Sequence, residues 1–319
     1  MTPIRLVLDF DTGIDDAIAL LYLAAQSDIE ILAAGSVHGN VTAQQGAVNT
    51  LRTLEQAGLP DIPVAVGAAR PLAQPLSVEA AVHGDDGLGN TSFGPPMGRL
   101  SDEAAAVQLV RLAREHPGEL TILATGPLTN LALALLLEPE LPGLVKNVVV
   151  MGGAVTCAGN VTGEAEANIW HDPEAADLVF QAGWDLTLIG LDVTMKAVLE
   201  GERLKAVESG EGSIARFASA VLQHYLNAYE GYLGGRGSAM HDPLAAAVAL
   251  DPSYVTCIDV PVHVELRGQH SRGATLADLR GNLGHDRNTR PPVHVAVTVD
   301  SERFLDDLVA ALVGPEHRA

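Results

Sequence analysis

Four aspartates crowd into eight residues near the start of the chain, in Asp9-Phe10-Asp11-Thr12-Gly13-Ile14-Asp15-Asp16. The apolar run Ile4 to Leu8 reads as a buried strand, Gly13 permits a tight turn, and Ile14 to Ala25 follows a helical pattern. Carboxylates gathered at the end of a buried strand repel one another unless a positive charge sits among them. A hard cation, Ca2+ or Mg2+, suits such an oxygen-rich set better than zinc. The plainer alternative is helix capping, since Asp is favoured at a helix N-terminus and complements the dipole there. Capping accounts for one of the four, Asp15 or Asp16, and leaves the rest unexplained.

Three further stretches carry side chains able to do chemistry. His241-Asp242-Pro243 offers an imidazole that can act as an acid near neutral pH, beside an aspartate that also reads as the cap of a helix opening at Pro243. The loop from Gly152 to Asp172 holds Asn160, Thr162, Glu164, Glu166, Asn168 and His171, a set that donates to and accepts from hydroxyls as a sugar requires. His83 lies in Val82-His83-Gly84-Asp85-Asp86-Gly87, where Asp85-Asp86-Gly87 matches only a fragment of an EF-hand loop. Tyr225, Tyr229 and Tyr232 share one helical face, a spacing that serves core packing or the wall of a base-binding pocket.

Strand and helix signals alternate along the chain. Strands are expected at Ile29 to Val37, Ile62 to Val66, Leu120 to Ala124, Val145 to Met151, Leu186 to Leu191, Val255 to Val264 and Val293 to Val299. Helices are expected at Ala43 to Ala57, Ser101 to Arg114 with Ser101 as cap, Leu128 to Leu137, Asp172 to Gln181, Ile214 to Tyr232, Asp242 to Leu250 and Phe304 to Val313. Residues Ala68 to Leu100 read as one long loop, a kind that is usually functional. The alternation predicts an α/β fold with a mostly parallel, Rossmann-like central sheet and helices on both faces, in a chain whose length suits one large domain or two smaller ones. Ligands bind such sheets outside the carboxyl ends of the strands, so Asp9, Asp11, Asp15, Asp16, Asn40, Thr125 and the loop after Met151 are expected to converge.

The chain is 319 residues long, 47% hydrophobic, and carries a formal net charge of −21. That charge, with no basic block, argues against nucleic acid as a partner. No apolar run reaches membrane-spanning length, and the first residues lack the pattern of a signal peptide, so a cytoplasmic location is expected. Cys157 and Cys257 are too few for a disulfide framework and lack metal-ligand spacing.

Taken in order, these stretches resemble the inosine-uridine nucleoside hydrolases. That family opens on Asp-x-Asp-Pro-Gly-x-Asp-Asp, matched by Asp9 to Asp16. Further matches are Gly39-Asn40, His83-Gly84, Thr125-Gly126-Pro127-Leu128-Thr129-Asn130, Glu166-Ala167-Asn168, Asp172-Pro173-Glu174-Ala175-Ala176 and His241-Asp242-Pro243. The resemblance implies one α/β domain spanning 1–319 and Ca2+-dependent hydrolysis of ribonucleosides to base and ribose by a homodimer or homotetramer. It implies that the ion is held by Asp11, Asp16, Asp242 and the carbonyl of Thr125, with a water and the ribose 2′- and 3′-hydroxyls. Asp11 would be general base to that water, Asp15, Asn40 and Asn168 would orient the ribose, and Asn160 and Glu166 would take its 5′-hydroxyl. His241, helped by His83, would assist departure of the base, with Tyr225 and Tyr229 close by. One base and a directly attacking water imply inversion through an oxocarbenium-like state. The sequence departs from the family at Thr12, where Pro is usual, and at Ala167, where many members carry an aromatic.

Two other readings compete. A phosphatase of the haloacid dehalogenase type also opens on a strand ending Asp-x-Asp, but Thr12-Gly13 follows here and no matching late lysine motif is present. A non-catalytic Ca2+-dependent nucleoside or sugar binder would keep the same scaffold, although it would have no need of Asp11 as a base.

Overall fold

The structure, a computed structural model, describes residues 3–91, 93–280 and 290–314. Its frame is an eight-stranded sheet. The strands lie in the order Val64–Val66, Ile29–Ser36, Ile4–Phe10, Leu120–Ala124, Asn147–Met151, Leu186–Ile189, Val293–Val299 and Val255–Val260. Every neighbouring pair is parallel except the last, which is antiparallel. The expected α/β class and mostly parallel sheet are therefore present.

The two-residue period of a strand sends alternate side chains to opposite faces. Leu6, Leu8 and Phe10 enter one core, whereas Val7 enters the other. Helices Ile14–Ala24, Ser213–Leu233, His241–Leu250 and Ser301–Val313 cover the first face; Ala105–Glu115, Thr129–Leu137 and Pro173–Phe180 cover the second. Chain order reverses between Ile4–Phe10 and Leu120–Ala124, and at such a switch point the loops part to leave a crevice.

Two helices present acids at that crevice. Ile14–Ala24 is buried at every position, and nearly all of His241–Leu250 is buried too. Helices apolar all round belong in an interior, and these two pack side by side. Their first turns carry Asp15, Asp16 and Asp242, where the positive helix ends favour carboxylates.

Several expected boundaries shift for identifiable reasons. The helix expected from Ser101 starts at Ala105, because the Ser101 amide donates to the Val64 carbonyl and draws that residue to the sheet. The strand expected over Val255 to Val264 is two strands, Val255–Val260 and Val262–Val264, parted by Pro261, which cannot donate to a ladder. The long loop contains a short helix, Ala80–His83. Asp242 does not cap its helix; it lies in the first turn of a helix that begins at His241. Asp16 does take a capping role, accepting the Gly13 N–H at 2.8 Å. Among the described residues, no helix is long and apolar enough to cross a membrane.

Candidate active site

At the carboxyl end of the sheet lies a cavity of about 360 Å³. Its floor is acidic. Carboxylate oxygens of Asp15, Asp16 and Asp242 lie within 4.8 Å of one another, and all three residues are buried. Thr125, just past strand Leu120–Ala124, donates its hydroxyl to Asp16 Oδ1 at 2.6 Å. Asp11 stands beside this group, its Oδ2 accepting the Asn40 backbone N–H at 2.7 Å and its Oδ1 the Asn40 amide at 3.2 Å.

Burial drives the electrostatics. It lifts Asp15 to about 6 and, with the Asp15 charge nearby, Asp16 to about 7. Asp11 and Asp242 are pushed well above the usual carboxylate range, by burial first and then by their acidic neighbours. Asp15 Oδ1 is buried without a hydrogen-bond partner among the described residues. A cation among these oxygens would relieve the repulsion and supply that missing partner, so the donor set fits a hard, oxygen-bound ion.

One wall belongs to the loop after Met151. Glu166 caps helix Ala167–His171, its carboxylate accepting N–H groups from Gly153, Asn168 and Ile169 at 2.8, 2.9 and 3.1 Å. Asn168 donates to the carbonyls of Thr125 and Met151 at 2.6 and 3.1 Å. Asn160 accepts the Ala167 N–H at 2.9 Å. All three face the cavity, as do Asn40 and the carboxylate residues Asp15 and Asp242.

The opposite wall is aromatic. His83 Nδ1 accepts the Ile14 N–H at 3.1 Å, which fixes its proton on Nε2. Gly13 makes this approach possible, since a β-carbon there would meet His83 Nδ1 at 2.5 Å. The Tyr225 hydroxyl donates to Asp15 at 2.9 Å, and the Tyr229 hydroxyl lies 2.6 Å from His241 Nε2. His241 Nδ1 meets the Thr194 hydroxyl at 2.7 Å. Burial lowers His83 to about 3 and His241 to about 4, so both rings are neutral at physiological pH. Tyr225, Tyr229 and Tyr232 all line the cavity.

The residues named from the sequence thus gather in one place, with adjustments at Asp11, Asp9, Thr12 and the EF-hand fragment. Asp15, rather than Asp11, completes the tight carboxylate trio with Asp16 and Asp242. Asp9 turns away from the cavity: it accepts the Asn130 amide at 2.7 Å and is lifted by burial to about 7. Thr12 is likewise outside, its hydroxyl 2.7 Å from that of Thr50. Asp86 ties its own loop, accepting from Leu88 and Asn90, which accounts for the EF-hand fragment. Thr194 and Glu79 escaped sequence reasoning. A threonine at the end of a short helix and a glutamate in a long loop carry no pattern that marks them.

A crevice at the switch point of a parallel sheet, floored by carboxylates and walled by amides and aromatic rings, defines an α/β enzyme for a polar small molecule. The chain belongs to the inosine-uridine preferring nucleoside hydrolase family, whose model matches residues 6–306. It is 38% identical to uridine nucleosidase 1 of Arabidopsis thaliana over 98% of this chain and 94% of that one. It is 37% identical to the inosine-uridine preferring nucleoside hydrolase of Crithidia fasciculata, over 97% and 98%. A solved plant nucleoside hydrolase, the PpNRh1 enzyme, superposes with a TM-score of 0.95 at 35% identity, over 98% of this chain and all of that one. The protein is a nucleoside hydrolase, and the phosphatase reading is set aside.

Proposed function

We propose that this enzyme cleaves the N-glycosidic bond of ribonucleosides such as uridine and inosine with the help of Ca2+, inverting the anomeric carbon. The observation that carries the reading is the buried trio Asp15, Asp16 and Asp242, of which Asp15 and Asp242 line the cavity and Asp16 lies against them. Asp11, Asp16, Asp242 and the Thr125 carbonyl would hold the ion, with Asp15 close enough to share its field. When bound, the ion would gather the pentose hydroxyls and make a water more acidic.

The chain's own groups do the rest. Asp11, held in place by two hydrogen bonds from Asn40 and lifted by burial, takes a proton from the attacking water as general base. Asp15, Asn40 and Asn168 orient the 2′- and 3′-hydroxyls. Glu166 and Asn160 receive the 5′-hydroxyl; Glu166 is already fixed by three backbone donors and so is preorganised. The acidic floor stabilises the positive charge that develops on the sugar ring. On the aromatic side, Tyr229 and His241 form a bonded pair at 2.6 Å that can deliver a proton toward the departing base. His83 keeps one N–H on Nε2 for an acceptor atom of the base, and Tyr225 braces Asp15.

A reducing-sugar assay over purine and pyrimidine nucleosides, with and without chelator, tests this. Ribose release from at least one nucleoside, abolished by Asp11→Ala, is expected. Binding of nucleosides without any release of sugar would leave only a sensor.

A further inference from the structure

The cavity is acidic beyond its floor. Glu79 and Glu166 join Asp15 and Asp242 in its walls, and no Lys or Arg lines it among the described residues. Asp15, Asp242 and Glu166 are accounted for by the reaction. Glu79 is not. Its backbone N–H donates to the Asn40 carbonyl at 3.2 Å, which ties it to the segment carrying Asn40. Its carboxylate is half-buried and has no hydrogen-bond or ion-pair partner among the described residues.

Its position in the cavity can be read from its neighbours. Gln74, five residues earlier in the same loop, donates its amide to the carbonyls of Trp170 and His171 at 2.8 and 3.0 Å, which lays this segment against helix Ala167–His171. His171 ends helix Ala167–His171, whose start, with Glu166 and Asn160, forms the wall assigned above to the 5′ end of the pentose. That wall is otherwise small and apolar, with Ala167 and Val161 facing the cavity. A substituent larger than hydroxyl would have space there, and an unpaired carboxylate to meet.

We propose that Glu79 is a specificity-determining residue that favours nucleosides bearing a cationic group, ammonium or sulfonium, on the 5′ carbon and disfavours those bearing an anionic one. The assignment of the 5′ end rests on the nucleosidase reading. An unpaired half-buried carboxylate attracts a cation a few ångströms away more strongly than it would in bulk water, and it repels a phosphate by the same arithmetic. Glu166 adds negative charge to that wall, but its oxygens are already engaged by backbone donors. Glu79 is the acid left to read the substituent.

The test compares 5′-amino-5′-deoxyuridine, protonated at pH 7.5, with uridine on the calcium-loaded enzyme. The measured quantity is the ratio of their kcat/KM values in wild type, Glu79→Gln and Glu79→Lys. The ratio is expected to fall about tenfold in Glu79→Gln and further in Glu79→Lys, while uridine 5′-monophosphate improves relative to uridine in the lysine variant. A ratio equal in all three proteins would overturn the proposal. If uridine is bound but never cleaved, the nucleosidase reading fails by itself. The same ratio, taken from dissociation constants by calorimetry, then still decides the role of Glu79.

Discussion

Gly39 presses so closely on Asp11 that a β-carbon at this position would overlap the aspartate's Oδ2. The glycine also has φ +158°, at the edge of the region that L side chains rarely adopt. The turn after strand Ile29–Ser36 therefore exists to bring the Asn40 N–H onto Asp11. Gly39→Ala is expected to displace the carboxylate and cut kcat/KM more than a hundredfold, at a stability cost of about 1–3 kcal/mol. Kinetics together with a melting curve check this. Near-normal turnover would show that the position of Asp11 is unimportant.

Tyr229 and His241 are the second pair expected to bear on rate. Tyr229→Phe keeps the ring but removes the hydroxyl 2.6 Å from Nε2. Uridine turnover is expected to drop about 100-fold or more, the scale of one general-acid contribution. A riboside with a good leaving group such as 4-nitrophenolate should be nearly unaffected, since it departs without a proton. Equal losses for both substrates would assign the hydroxyl to packing instead.

The acidic floor couples stability to pH. In the absence of a cation, Asp15 sits at about 6 and Asp16 at about 7, both above an unfolded aspartate near 3.9. Between those values the folded chain binds more protons than the unfolded one, so unfolding free energy falls as pH rises. With chelator, Tm should decline by a few degrees from pH 5 to pH 8 as these groups lose their protons. Calcium should remove most of that decline, because it binds the ionised form. Calorimetry in matched buffers makes the measurement, and a Tm that climbs over this range in chelator would count against it.

Stereochemistry offers a separate check. Were Asp11 to activate a water that attacks directly, as proposed, the first ribose released is expected to be the α-anomer, visible by proton NMR before mutarotation. Early β-anomer would require a covalent intermediate and a different role for the aspartates.

Much of the fold and site was legible in the chain because local signals agreed with the tertiary structure. The Ile4-to-Asp16 stretch pairs an apolar run, a turn glycine and acids at a helix start, and the structure keeps all three. Asp172-Pro173 reads as a cap and a first turn, and Asp172 does accept the Ala175 N–H at 3.1 Å. What could not be read depends on partners distant in sequence. Ser101 has the chemistry of a cap, but a sheet hydrogen bond to Val64 prevails over it. Asp9 and Asp11 look equivalent in the motif, yet Asn130 claims one and Asn40 the other. Thr194 touches His241 across 47 positions, a contact that no local pattern announces. Among the described residues the short strands Val198–Glu200 and Gly237–Ala239 pair only with each other, and they carry too few residues to show a period.

On the proposed reading, acids from two neighbouring helix starts hold a divalent cation that the reaction needs. Equilibrium dialysis of radioactive calcium against the metal-stripped enzyme, with uridine turnover measured on the same samples, tests it most directly. About one ion bound per chain is expected, with binding and turnover lost together in Asp16→Asn and Asp242→Asn. Full turnover by stripped enzyme, or calcium bound equally well by both variants, would contradict the account.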